Sequence, residues 1–278
     1  MEKFTEDKTG SFYSYLSEGC RLCQEGAKMV LFVTGLCPKN CFYCPLSDKR
    51  RGKDLVFANE RLISSDEDLL KEAELMDALG TGITGGEPLL KLERVLHYIR
   101  MLKASFGIEH HIHLYTSLAP GRQVLEKLAD AGLDEIRFHP PQECWNDLKN
   151  SQYANSLQNA KELGIEAGIE IPALEDAEKV SAFAEEMGVF LNLNELEFSD
   201  NNSEALLKNG FCFNPTHPVR LPDPVNLPGL PLRNVKRPIF VPQYIRMQSS
   251  SAKDFSESQR ILQESLTKSL KTVHWYTE

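Results

Sequence analysis

MVLFVTGLCPKNCFYC, residues 29–44, joins an apolar run, Met29 to Thr34, to three cysteines, Cys37, Cys41 and Cys44, separated by three and then two residues. An apolar run of this length that breaks into a glycine- and proline-containing loop reads as a buried strand ending at a site. Thiolates are the usual protein ligands of a cubane iron–sulfur cluster, and three of them on one short loop leave the fourth iron open. The competing reading is a zinc knuckle, which normally closes four ligands arranged as two pairs.

Working outward, the chain alternates strand-like runs with helical periodicity from Ala27 to about Ser199, the pattern of βα units around a parallel sheet. Six strands are expected: Lys28 to Thr34, Thr81 to Gly85, Ile112 to Thr116, Asp134 to His139, Ile165 to Pro172 and Phe190 to Phe198. Leu69, Leu70, Ala73, Met76 and Leu79 make one apolar helical stripe, and Leu92, Val95, Leu96, Ile99 and Leu102 make another. Further helices are expected over Gly121 to Gly132, Ala154 to Leu163 and Asp176 to Met187. Eight of the 15 prolines fall between Pro215 and Pro242, so that stretch is expected to be an extended cover or arm. An amphipathic pattern from Ala252 to Leu270 predicts a C-terminal helix. The divisions are an N-terminal extension over 1–26, a core over 27–200 and a proline-rich cover with its helix over 201–278.

The second expected strand runs into Thr84-Gly85-Gly86-Glu87-Pro88. In parallel α/β folds, sites collect at the C-terminal ends of strands, so this turn and the cysteine loop should share one rim. The pair of motifs, CPKNCFYC with Tyr43 before its last cysteine and TGGEP after the second strand, resembles the radical S-adenosylmethionine superfamily, in the neighbourhood of pyruvate formate-lyase activating enzymes. The resemblance covers roughly Ala27 to Ser199. It implies an α/β fold, a partial (β/α)6 TIM-like barrel, here with a Pro-rich C-terminal extension and a C-terminal helix. It implies a 4Fe-4S cluster on Cys37, Cys41 and Cys44 whose open iron is chelated by S-adenosylmethionine. Reductive cleavage of that molecule would give a 5′-deoxyadenosyl radical that abstracts hydrogen from a substrate, whether protein, RNA or small molecule.

Under the same resemblance, Tyr43, Gly85, Gly86, Glu87 and Pro88 belong to the cofactor site, the glycines by letting backbone approach the methionyl ammonium. Glu87 would pair with that ammonium or support the turn. Thr116 and Ser117, after the third strand, are placed at the methionine carboxylate or ribose, the alternative being a helix cap before Gly121. Gly168 and Glu175 echo an adenine-side motif of the family, but Glu170 and Pro172 stand where Ile and Gly are expected, so only Gly168 is carried over.

Strand alternation gives a separate line of inference. Ile112 and Leu114 oppose His111, His113 and Tyr115; Ile136 and Phe138 oppose Arg137 and His139; Ile165, Ala167, Ile169 and Ile171 oppose Glu166, Gly168 and Glu170. If the apolar faces pack under helices, the polar faces point into the barrel, where charge must be paired or bound to ligand. His113, Tyr115, Arg137, His139 and Glu170 are therefore the substrate-pocket candidates. In the last strand Leu191 and Leu193 change phase to Leu196 and Phe198, which a bulge between Asn194 and Glu195 would explain, with Glu197 a further candidate.

The 278 residues carry a formal net charge of −9, which argues against a generic polyanion binder. Met1 to Ser17 lacks the features of a secretory signal, and no apolar run approaches membrane-spanning length, so a cytoplasmic protein without a membrane partner is expected. Seven cysteines, five of them between residues 20 and 44, fit metal ligation in a reducing compartment better than disulfides. Cys20-x-x-Cys23 is a half-site for a second iron–sulfur cluster or zinc, completed by Cys144, Cys212 or a histidine. The basic run Lys49-Arg50-Arg51-Gly52-Lys53 is either a solvated loop or a grip for a phosphate-bearing substrate or an acidic reductant such as flavodoxin or ferredoxin. Against all of this stands a non-catalytic, zinc-stabilised binding module.

Overall fold

The computed structural model describes residues 5–6, 12–13, 15–194, 196, 198–211 and 245–248. The chain begins with β1 (Thr5–Glu6), β2 (Phe12–Tyr13) and α1 (Glu18–Gln24), whose first turn is capped by the Ser17 hydroxyl. Next come β3 (Lys28–Phe32), a small hairpin of β4 (Phe57–Ala58) and β5 (Arg61–Leu62), and α2 (Asp66–Leu75). Regular βα alternation follows: β6 (Gly80–Thr84), α3 (Leu92–Phe106), β7 (His111–Thr116), α4 (Arg122–Ala131), β8 (Glu135–Phe138) and α5 (Gln152–Glu162). It closes with β9 (Glu166–Pro172), α6 (Ala177–Met187), β10 (Phe190–Asn194), α7 (Ser203–Lys208) and β11 (Ile245–Gln248).

The six expected strands are present, and they pair in parallel in the order β3, β6, β7, β8, β9, β10. Consecutive parallel neighbours linked by helices make a partial (β/α)6 barrel. It does not close, because β4 pairs antiparallel with β3 at one edge and β11 antiparallel with β10 at the other. The hairpin and β11 are additions to the expected fold. The expected C-terminal helix and the proline-rich stretch lie outside the described residues, as do Glu195, Glu197 and Cys212.

The apolar stripes are buried within the helices, whereas Leu79, expected to extend the first stripe, lies beyond α2 and is exposed. Leu69 and Ala73 of α2, and Val95, Leu96, Ile99 and Leu102 of α3, are buried against Met29, Leu31, Ile83, Ile112 and Leu114 of the sheet. Gly132 ends α4 at φ +103°, in the left-handed region where a Cβ is strained. Burying one strand face this way leaves the opposite face of every strand pointing into the lumen.

At the foot of the sheet His110 is buried, its Nε2 2.9 Å from the Thr81 hydroxyl and its ring stacked on Phe106. Burial, reinforced by the charges of Lys103 and Lys28, pulls its pKa from 6.5 to about 4. The unfolded chain then takes up a proton below about pH 6.5 that the folded chain refuses until about pH 4, so His110 costs stability as pH falls through that window. Urea midpoints should fall between pH 7 and pH 5, with a shallower slope in His110→Gln.

Candidate functional site

The two motifs meet because their backbones are zipped together. Val33 N–H donates to the Thr84 carbonyl at 2.8 Å, Gly86 N–H to Thr34 at 2.7 Å and Glu87 N–H to Leu36 at 2.7 Å. A Cβ on Gly85 would stand 2.6 Å from the Thr34 carbonyl oxygen, and one on Gly86 2.5 Å from that of Leu36. The glycine pair is therefore needed by the cysteine loop itself, a structural requirement beside the expected one of backbone approach to a ligand. Asp54 secures the base of the loop. It accepts from the Thr34 hydroxyl at 2.9 Å and from Arg94 at 2.7 Å, with Lys91 also at 2.7 Å. Those two cations hold its carboxyl well below the usual carboxylate range.

Glu87 is fully buried and spends its carboxylate inside the protein. Oε1 accepts from the Leu89 N–H at 3.0 Å and the Thr116 hydroxyl at 2.8 Å; Oε2 accepts from the Ser117 N–H and hydroxyl, both at 2.7 Å. The bonds it makes here are those of turn support, one of the two expected roles. Thr116 and Ser117 are its partners rather than caps, since α4 starts at Gly121 with no side-chain cap. Pro88 opens the short 3-10 turn that follows. The glutamate thus ties the end of β6 to the end of β7 beneath the cysteine loop.

Cys37, Cys41 and Cys44 are free thiols that line a cavity of about 760 Å³ together with Tyr43, Gly85, Gly86, Pro88, Thr116 and Ser117. Burial raises the pKa of the Cys37 and Cys41 thiols, so metal ligation would release protons there. A single tetrahedral zinc would draw its sulfurs to about 3.8 Å apart. Among the described residues, the one group of three metal-binding side chains whose donor atoms all lie within 4.8 Å of one another is elsewhere, so the loop sulfurs are spread more widely than that. Such a spread suits a cluster that takes each thiolate on a separate iron.

Tyr43 bridges the loop to the lumen. His139 Nδ1 is 2.8 Å from the Glu170 carbonyl, which can only accept, so Nδ1 carries the proton and Nε2 accepts from the Tyr43 hydroxyl, also at 2.8 Å. Burial lowers the His139 pKa and keeps the ring neutral. A double-mutant cycle on Tyr43→Phe and His139→Ala should return a coupling of about 1 kcal/mol in urea unfolding.

The polar strand faces converge in the lumen, where Arg137, 2% exposed, is the hub. Its Nε donates to Glu135, its Nη1 to the Tyr115 hydroxyl and to Glu170 Oε2, each at 2.8 Å, and its Nη2 to the Cys20 sulfur at 3.1 Å. Glu170 also accepts from the Asn192 and Asn194 amides at 2.8 Å. Burial works against the Glu170 charge, but Arg137 and the two amides outweigh it and hold the carboxyl below its usual pKa. His113 sits lower, 2.7 Å from the Lys28 ammonium. His113, Tyr115, His139 and Glu170 line the same cavity as the cysteine loop, whereas Arg137 stands behind them. A Cβ on Gly168 would fall 2.1 Å from the Phe190 ring, so this glycine makes room for a phenylalanine.

Sequence reasoning missed Lys28, Glu135, Asn192 and Asn194. Glu135 and Lys28 sit at strand starts, and period-two extension by one residue along β8 and β3 would have put both in the lumen.

The remaining motifs separate. Cys20 is buried, with its sulfur facing Arg137 and Asn192, while Cys23 is exposed at the foot of the barrel. Cys144 follows β8 at the other end of the strands and packs on the outer core, away from that pair. In the basic run, Gly35 and the segment over Gly52 and Lys53 exchange backbone hydrogen bonds at 2.8 Å. Arg50 stacks over Phe57 at 4.2 Å, and Arg51 donates to the Cys44 carbonyl at 3.1 Å. Arg51 thus braces the cysteine loop and Arg50 the hairpin of β4 and β5; Lys49, Arg51 and Lys53 are exposed.

A partial barrel with a three-cysteine loop at its C-terminal rim, zipped to a glycine-pair turn above a polar lumen, defines a class. The radical SAM superfamily's sequence profile matches residues 31–176, more than half of the chain, and the chain belongs to that family. A 4Fe-4S cluster and S-adenosylmethionine are the family's cofactors, and the three cysteines fit them. A protein of Methanocaldococcus jannaschii, provisionally named a glycyl-radical enzyme activating enzyme, is 41% identical over 220 residues, 76% of this chain. The chain spans 57% of that relative's length. Among the described residues no helix is long and apolar enough to cross a membrane.

Proposed function

We propose that this chain is a radical SAM enzyme that removes a hydrogen atom from a partner protein, in the manner of a glycyl-radical activating enzyme. One observation carries the reading: the cavity that starts at Cys37, Cys41 and Cys44 continues into the lumen past Tyr115, His139 and Glu170, so a reacting group and a docked segment share one space. The name of the archaeal relative supports a protein rather than a metabolite as substrate.

In this reading Cys37, Cys41 and Cys44 hold the cluster, and S-adenosylmethionine lies between the Gly85–Gly86 turn and the wall carrying Tyr43 and Ser117. When bound and reduced by a small one-electron carrier such as flavodoxin or ferredoxin, the pair supplies hydrogen-atom abstraction. The chain's own residues do the positioning. Glu87 fixes Thr116 and Ser117, so the ends of β6 and β7 cannot drift as the loop fills. The neutral His139 accepts the Tyr43 proton in its hydrogen bond and holds the loop against the lumen. Glu170, locked by Arg137 and two amides, stays ionised and offers its charge to the N–H groups of an entering peptide.

Deuterium transfer is the test. Cell extract carrying α-deuterated glycine in its proteins is incubated anaerobically with enzyme, S-adenosylmethionine and dithionite, and the 5′-deoxyadenosine is analysed by mass spectrometry. Deuterium should appear in the nucleoside when the protein fraction is supplied and not with the small-molecule filtrate. The reverse distribution would reject a protein substrate.

A further inference from the structure

The end of the barrel away from the cysteine loop holds a second constellation. His111, His113 and Glu135, on the first turns of β7 and β8, are all buried and present donor atoms within 4.8 Å of one another. Between the rings lies the Lys28 ammonium, 2.8 Å from His111 Nδ1 and 2.7 Å from His113 Nδ1. An ammonium can only donate. Both Nδ1 atoms therefore offer lone pairs to one point, with the ring protons on Nε2, so each Nδ1 is the nitrogen that can ligate a metal there. Glu135 Oε2 is 3.7 Å from His111 Nε2 and accepts the Gly19 N–H at 3.1 Å, which fixes the carboxylate beside the rings.

We propose that this foot of the barrel binds a zinc ion through His111, His113 and Glu135, with Cys23 as fourth ligand, by exchange with the Lys28 ammonium. Two imidazoles, a carboxylate and a thiolate are a borderline-soft set that suits zinc and excludes calcium and magnesium. Cys23 is exposed on α1 and lines the cavity alongside Lys28 and His113, so it supplies both a ligand and an entrance. The same cavity, about 760 Å³, gives the Lys28 side chain somewhere to go. The exchange balances: one divalent ion enters, the Cys23 thiol gives up its proton to solvent, and Lys28 keeps its charge as it swings out. Closing the imidazole nitrogens onto zinc asks for contraction to about 2.0–2.1 Å, within the reach of side-chain rotation.

The inference does not rest on the radical reading, and its test counts metal rather than turnover. Anaerobically reconstituted protein, its iron and sulfide measured first, is dialysed against micromolar zinc chloride and analysed for both metals. The wild type should retain one zinc per chain with its iron unchanged, and zinc should raise its unfolding temperature. His111→Ala and His113→Ala should lose that zinc, Cys23→Ser should weaken it, and Lys28→Ala should bind it about tenfold more tightly. Should the alanine variants fail to fold, His113→Asn and the zinc-dependent melting of the wild type carry the same information. No zinc retained, zinc retained equally by the histidine variants, zinc taken up only as iron is lost, or an affinity unmoved by Lys28→Ala would each overturn the proposal.

Discussion

Arg137→Met is expected to lower the free energy of unfolding by about 3–5 kcal/mol, the cost of leaving buried charge without its partner. Methionine fills much of the arginine's volume, so the loss would be electrostatic rather than a cavity effect. What it strands is specific: Glu135 is fully buried and Glu170 nearly so, and both lean on the same guanidinium. Their mutual repulsion, no longer screened by the guanidinium, adds to the desolvation of each. Removing the whole set should cost far less, because replacing a buried ionic network by neutral groups is often close to neutral. Arg137→Met combined with Glu135→Gln and Glu170→Gln should therefore recover much of the loss, as read by urea unfolding of the single and triple variants.

Glu87→Ala should be the next most damaging change, at about 3 kcal/mol. Four donors converge on that carboxylate, and bonds to a charged acceptor are worth about 1.5–3 kcal/mol each, though they do not add. The alanine takes the acceptor from the half-buried Ser117 and Leu89 N–H groups and Ser117 hydroxyl and from the buried Thr116 hydroxyl. Glu87→Gln should recover only part, since one of its two terminal atoms becomes a donor facing donors. The same change should reduce iron retained after desalting, because the backbone of Glu87 is hydrogen-bonded to Leu36 at the mouth of the cysteine loop. A stable Glu87→Ala protein with full iron would mean that the turn does not support the loop.

The barrel was legible in the sequence because its two signals are local. Apolar runs such as Met29 to Val33 mark strands buried between helices and lumen, and the helical stripes between them have no other partner to cover. The polar lumen followed from alternation alone, and His113, Tyr115, His139 and Glu170 do face one cavity. What could not be read was the use to which each residue is put. Gly85, Gly86 and Gly168 read as ligand-approach glycines, and the sequence could not show that their missing side chains also make room for Thr34, Leu36 and Phe190, contacts set by chain segments distant in sequence. Glu87 has a charge the sequence could not assign to partners, because three of the four donors it accepts from belong to Thr116 and Ser117, about 30 positions away at the end of β7. The hairpin over β4 and β5 is two residues a side, too short for any periodicity to show.

The basic run illustrates the same limit from another direction. Five consecutive residues left a solvated loop and a charged grip open; in the fold Arg50 stacks over Phe57 and Arg51, still exposed, donates to the Cys44 carbonyl. A charge pattern reports composition; the direction of each side chain depends on the pairing.

The central claim, that Cys37, Cys41 and Cys44 carry a cluster that works on S-adenosylmethionine, is tested most directly by anaerobic reconstitution followed by incubation with S-adenosylmethionine and dithionite. The account predicts brown protein that forms 5′-deoxyadenosine, and a Cys41→Ala protein that remains folded, binds less iron and forms none. Colourless protein that takes up zinc on the loop cysteines and leaves S-adenosylmethionine intact would contradict it.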